Sequence, residues 1–183
     1  DMPEYLQEIK RLKQKYSDQL EIYAGLEIDY LDETYNASIP YFQELPLDYR
    51  IGSIHFLPVS ERLVEENMVC IDGSFREYAH SVERHIVGHM DKIYMNGQKY
   101  EIFNFEEDWY RKPFEACLDL VQEKGLMVEV NTKNWTKKKE LYPRVEYLSR
   151  MREMNIPVMV NSDCHYPDLV NDGRKEVFEL LKQ

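Results

Sequence analysis

Short apolar runs that end in an imidazole or carboxylate residue constrain this chain more than any other feature of its sequence. The runs are separated by stretches in which apolar residues recur every three or four positions. Leu20 to Tyr30, Tyr49 to Leu57, Ile86 to Asp91, Leu126 to Thr132 and Ile156 to Asp163 read as five buried strands, too short for helices and rich in β-branched and aromatic residues. Helical stripes fall around and between them. Tyr5, Ile9, Leu12 and Tyr16 share one face, with Pro3 suited to the first turn. Ile39 to Leu45, Phe75 to Val82 and Phe114 to Val121 give three more, followed by Val145 with Leu148 and Met151, and by Val177 with Leu180 and Leu181. Strands alternating with helices predict βα units and a parallel sheet, an α/β class.

No linker, repeat or low-complexity stretch interrupts that pattern, so residues 1–183 are expected to form one domain. An apolar share of 43% is enough for a core and too high for a disordered chain. Lys and Arg number 23 against 34 Asp and Glu, a net charge of −11 with no basic stripe, which excludes bulk capture of nucleic acid. No run approaches the roughly 18 to 20 apolar residues of a membrane span, and no basic-then-apolar leader opens the chain, so a cytoplasmic protein without a membrane partner is expected. Cys70, Cys117 and Cys164 are an odd number at unrelated spacings, which argues for reduced thiols rather than a disulfide framework.

In parallel βα architectures the loops that leave the carboxyl ends of the strands share one face, where active sites are assembled. Here those exits carry Glu27, His55, His89, Asp163 and His165, three of the five histidines and two carboxylates. Imidazole and carboxylate are ligands for Zn, Mn or Fe, and a carboxylate can bridge two ions. One such residue is explained as well by a local hydrogen bond, but five at equivalent places point to a metal centre. Asn131 ends the fourth strand, where a contact to substrate and a structural hydrogen bond are equally open. The basic run Lys133, Lys137, Lys138 and Lys139 leaves on the same face, as a phosphate contact or as a solvated loop. His80 and His85 read as surface residues, Cys164 as a core residue because extended chain would turn it away from its neighbours, and Trp109 and Trp135 as packing or lid aromatics. HExxH, GxSxG, Walker and GxGxxG patterns are absent, which removes zincin, serine-hydrolase, P-loop and dinucleotide chemistry.

Whole segments of the chain resemble the polymerase and histidinol phosphatase (PHP) superfamily, and within it the histidinol-phosphatase branch. They are GLEIDY at 25–30, GSIHFL at 52–57, VGHMD at 87–91, VEVNT at 128–132 and NSDCHYP at 161–167, with the pair Tyr142 and Pro143, in matching order and spacing. The resemblance implies a distorted β/α barrel with a trinuclear metal site that hydrolyses phosphate monoesters. Carried over by motif, Glu27 would bridge two metals, His55 and His89 would complete one of them, Asp163 would serve another and His165 the third. Glu27, Asp163 and His165 would take the catalytic roles, with Asn131, Lys133 and Lys137 on the substrate.

Family members open with an HxH motif at the end of a first strand, and none precedes GLEIDY here. The resemblance therefore implies an incomplete barrel, truncated at its amino end, with fewer than three metals and reduced activity. Its expected reaction is hydrolysis of histidinol phosphate in histidine biosynthesis. The alternatives are another small phosphorylated metabolite or nucleotide as substrate, or a non-catalytic metal-binding remnant that associates with a second copy through the exposed barrel edge.

Overall fold

Five of the apolar runs pair with one another, and each pairs in parallel. The computed structural model describes residues 1–29, 40–53, 56–59, 62–65, 86–92, 104 and 106–182. Its strands are β1 (Gly25–Asp29), β2 (Tyr49–Ser53), β3 (Phe56–Val59), β4 (Arg62–Glu65), β5 (Ile86–Val87), β6 (Met127–Asn131) and β7 (Val158–Asn161). The main sheet runs in the order β1-β2-β5-β6-β7, with parallel neighbours throughout. Asp29 lies opposite Ser53, Val87 opposite Val128 and Asn131 opposite Asn161, so the carboxyl ends of the five strands share one edge. This is the parallel α/β sheet expected from the alternating pattern, in keeping with the incomplete barrel that the family resemblance implies.

The core lies on one face of that sheet. Helix α2 (Asp108–Lys124) buries Phe114, Leu118 and Val121 against Val128, Val130 and Val160, and α4 (Glu146–Glu153) adds Tyr147, Leu148 and Met151. The Phe114 and Tyr147 rings stack with centroids 4.0 Å apart. Burying each such side chain contributes about 1.5–3 kcal/mol. Gly125 ends α2 with φ 62, a left-handed conformation that a side chain resists. Helix α5 (Arg174–Leu181) closes the chain over Val177, which is fully buried.

The first helix, α1 (Met2–Lys15), keeps its apolar stripe only half-buried. It docks by polar contacts at the amino ends of β1 and β2. The Tyr5 hydroxyl donates to the Gly25 carbonyl at 2.7 Å and accepts from the Gly25 amide at 3.2 Å, and Lys13 pairs with Asp48. Trp135 lies in the short helix α3 (Trp135–Lys138) and packs against the core.

Two expected strands end early. Pairing of β2 in the sheet stops at Ser53, and Phe56–Val59 pairs instead with Arg62–Glu65 as an antiparallel hairpin. Pro58 lacks the amide that a central strand needs, so the run cannot stay in the parallel ladder. β5 stops at Val87 rather than continuing to Asp91, and His89 and Asp91 adopt φ 22 and φ 71. Tertiary bonds described below capture that segment. His55, His80, His85, Cys70 and the helix expected at 75–82 lie outside the described residues.

Candidate functional site

Strand alternation sends Val128 and Val130 into the core and Glu129 and Asn131 to the opposite face. Glu27 is likewise opposed to the buried Ile28. At the shared carboxyl edge these side chains meet in a continuous chain of hydrogen bonds across five strand ends. The Ser53 hydroxyl donates to Glu27 Oε1 at 2.6 Å, and His89 Nε2 lies 3.2 Å from the same oxygen. The His89 amide donates to Glu129 Oε2 at 2.7 Å. Asn131 Nδ2 then bridges Glu129 Oε2 and Asp163 Oδ2, at 3.3 Å to each. Lys133 Nζ donates to Asp163 Oδ2 at 3.0 Å and lies 3.4 Å from His165 Nδ1.

The structure therefore brings Glu27, His89, Asn131, Lys133, Asp163 and His165 into one network. Within it the Asn131 Oδ1 also accepts the Lys133 amide at 3.0 Å. Lys137 is exposed on α3, while Lys138 and Lys139 pair with Glu140 and Glu176. Cys117 is buried in α2, but Cys164 is exposed rather than in the core. The extended alternation assumed for Cys164 is broken by Asp163, whose φ is 46.

The donor set suits a divalent cation. Two atoms that share an ion at 2.0–2.2 Å lie about 3.0–3.4 Å apart, and Glu27 Oε1 and His89 Nε2 are 3.2 Å apart. Asp163 Oδ1 and His165 Nδ1 are 3.6 Å apart, close to that spacing. Among the described residues no three His, Cys, Asp or Glu side chains converge as a ready-made ion cage, and the ligand set carried over for one ion includes His55, outside them. Glu27 Oε1 already accepts from a buried hydroxyl, which fixes its orientation. The network contains three carboxylates, from Glu27, Glu129 and Asp163, and the Lys133 ammonium. A cation would relieve that imbalance.

Behind the His89 loop lies a buried ion pair. Arg144 Nε donates to Asp91 Oδ2 at 2.9 Å, and the guanidinium stands over the Tyr147 ring at 5.1 Å. Burial pushes the Asp91 carboxyl up to about 7, against the opposing pull of Arg144. The same burial, with a carboxylate nearby, raises the Tyr147 hydroxyl above its ordinary value. Ser53, Glu129, Asp91 and Arg144 were not singled out as functional by the sequence. The signal available for Glu129 was a carboxylate in the middle of an otherwise apolar strand.

Comparison with known proteins bears on the family and the fold. The chain is 29% identical over 198 residues to the "Probable histidinol-phosphatase" of Deinococcus radiodurans, covering 98% of this chain and 72% of that protein. A solved structure from Listeria monocytogenes superposes with TM-score 0.74 at 22% identity, covering 96% of this chain and 75% of the other. The histidinol phosphate phosphatase of Lactococcus lactis, solved in complex with zinc, L-histidinol and phosphate, superposes with TM-score 0.69 at 18% identity, covering 98% and 74%. At such identities the two structures establish the fold. Residues 1–133 match the model of the PHP domain, and the chain belongs to that family.

Proposed function

We propose that this chain is a metal-dependent phosphomonoester hydrolase whose substrate is histidinol phosphate. The observation that carries the reading is the 3.2 Å approach of Glu27 Oε1 to His89 Nε2 within a network of groups from five strand ends. The relatives supply the substrate: one is named a histidinol-phosphatase and another binds the alcohol and the phosphate that this hydrolysis releases.

Glu27 would bridge two ions, His55 and His89 would complete the coordination of one, and Asp163 and His165 would serve the others. Ions held there, of zinc, manganese or iron, supply Lewis acidity to the phosphoryl oxygens and a water acidified to near neutral pKa. The chain's own residues do the positioning. Ser53 fixes the Glu27 carboxylate, and the buried His89 ring with the half-exposed Glu27 defines one side of the site. The Lys133 ammonium is held over the Asp163 carboxylate, 38% exposed and free to turn toward a phosphoryl oxygen. His165, 64% exposed, stands at the mouth. Lys137, farther along the same segment, offers a second cation to an incoming phosphate.

The test is phosphate release from histidinol phosphate by the purified protein after loading with zinc, manganese or iron in turn, beside a panel of nucleotides and sugar phosphates. Turnover that requires the metal and prefers histidinol phosphate is expected. Absence of turnover with every metal would overturn the reading, and a clear preference for another ester would overturn its substrate.

A further inference from the structure

Glu129 is a carboxylate that the assigned roles leave unused. It is 4% exposed, in the middle of β6 between Val128 and Val130, both fully buried. Its hydrogen-bond partners are neutral: the His89 amide at 2.7 Å, Asn131 Nδ2 at 3.3 Å and Asn161 Nδ2 at 3.0 Å. A buried carboxylate held by amides alone is expensive in the free protein, because amide donors replace only part of its hydration. The expense has a local effect. His89 adopts φ 22, a conformation that side chains other than glycine's rarely take, and the shortest bond to Glu129 comes from its main chain.

The adjoining residues leave the His89 loop little freedom. The Gly88 amide donates to the Gly52 carbonyl at 2.8 Å, and Asp91 is held by Arg144. Glu129 takes the residue between them. With the main chain fixed on both sides, the ring keeps Nε2 on Glu27 Oε1. The negative charge also lies one residue from where a cation would sit, which favours its arrival.

Resting on the metal-dependent reading above, we infer that Glu129 is a positioning residue of the candidate metal centre: its buried carboxylate clamps the His89 main chain, and so aims the His89 ring at Glu27 before an ion binds. Groups that orient a ligand in this way alter metal affinity by roughly 10–100-fold when removed.

The variant is Glu129→Gln, which keeps size and shape and removes the charge. Zinc affinity, measured by competition with a chromophoric chelator, is expected to fall roughly 10–100-fold. In a His89→Ala background the same substitution should change affinity by less than about threefold, because no ring remains to be aimed. A purely structural effect would act equally in both backgrounds. Unchanged affinity in the single variant, or an equal loss in both backgrounds, overturns the inference. The unaltered protein gives a second measurement that survives misfolding of the variant. In its metal-free form the His89 amide should resist hydrogen exchange as strongly as the Val130 amide, and exchange at the rate of an exposed amide overturns the clamp. These outcomes are separable from the proposed function: a protein that binds no metal would sink both, whereas zinc-dependent turnover of histidinol phosphate by the unaltered protein, with zinc affinity unchanged in Glu129→Gln, would sink the clamp alone.

Discussion

The two halves of the strand-end site are built differently. On the β1–β5 side His89 is buried, its side chain 3% exposed, and its loop is anchored by Glu129 and by the Asp91–Arg144 pair. On the β7 side Asp163 and His165 are 18% and 64% exposed, and their side chains are tied to the rest by the Lys133 ammonium and one amide bond from Asn131. Exposure alone does not separate the halves, since Glu27 is 43% exposed and Asp163 18%; the difference teaches that one half is organised in advance by a main chain tied on both sides of His89, while the other leaves its histidine open to what enters. A hydrolase needs both: a fixed ion platform and a side that phosphate can reach.

Substitutions that act on one half only are the way to break that comparison. The largest effect is expected at Arg144→Met, which removes the cation from the fully buried Asp91, so that above about pH 7 the folded chain must bury an unpaired carboxylate or hold a proton on it. Breaking such a pair costs about 3–5 kcal/mol, read as a fall in the urea midpoint, with zinc affinity lost beside it. Gly88→Ala comes next. A Cβ at Gly88 would run into Ser53 Oγ and Ile51 Cγ2, so β2 and the loop must separate and Ser53 must leave Glu27. Overpacking of this kind costs about 1–3 kcal/mol, measured by chemical denaturation.

Lys133→Met should do the reverse. A half-exposed ion pair contributes at most about 1 kcal/mol to folding, so stability hardly moves. Loss of a charged hydrogen bond to phosphate should raise KM about tenfold. A large drop in melting temperature would show that the open half is a structural prop.

A pH slope is a further check on the anchored half. Asp91 has its carboxyl raised from 3.8 to about 7 in the fold, so between those values the unfolded chain has lost a proton that the folded one keeps. Its contribution to stability is therefore full below about pH 4, declines through the interval and is gone above about pH 7. Urea midpoints of the metal-free protein at pH 5 and pH 8 check this, and a steeper decline is expected if Arg144 is removed.

Much of this arrangement was legible in the chain, and the omissions have physical causes. The five parallel strands follow from short apolar runs and intervening stripes, because burial on both faces writes itself into composition. The ends of β2 and β5 do not. Tyr49 to Leu57 reads as one strand until Pro58 and the hairpin divert it, and Ile86 to Asp91 reads as extended although Glu129 and Arg144, 40 and 53 residues further on, pull the loop into left-handed turns. Periodicity reports local pattern and cannot see such distant partners. For the same reason Cys164 is misplaced by its sequence, and Glu129, legible as a residue the fourth strand delivers beside Asn131 but without a role, becomes central only when β6 is laid beside the His89 loop.

No helix among the described residues is long and apolar enough to cross a membrane. The central claim is that residues separated along the chain converge on a cation. Anomalous diffraction at the zinc edge from crystals grown with zinc tests it most directly: an ion within about 2.0–2.2 Å of both a Glu27 oxygen and His89 Nε2 is the expected result. Zinc bound elsewhere, with Glu27 and His89 in contact only with each other, would contradict the account.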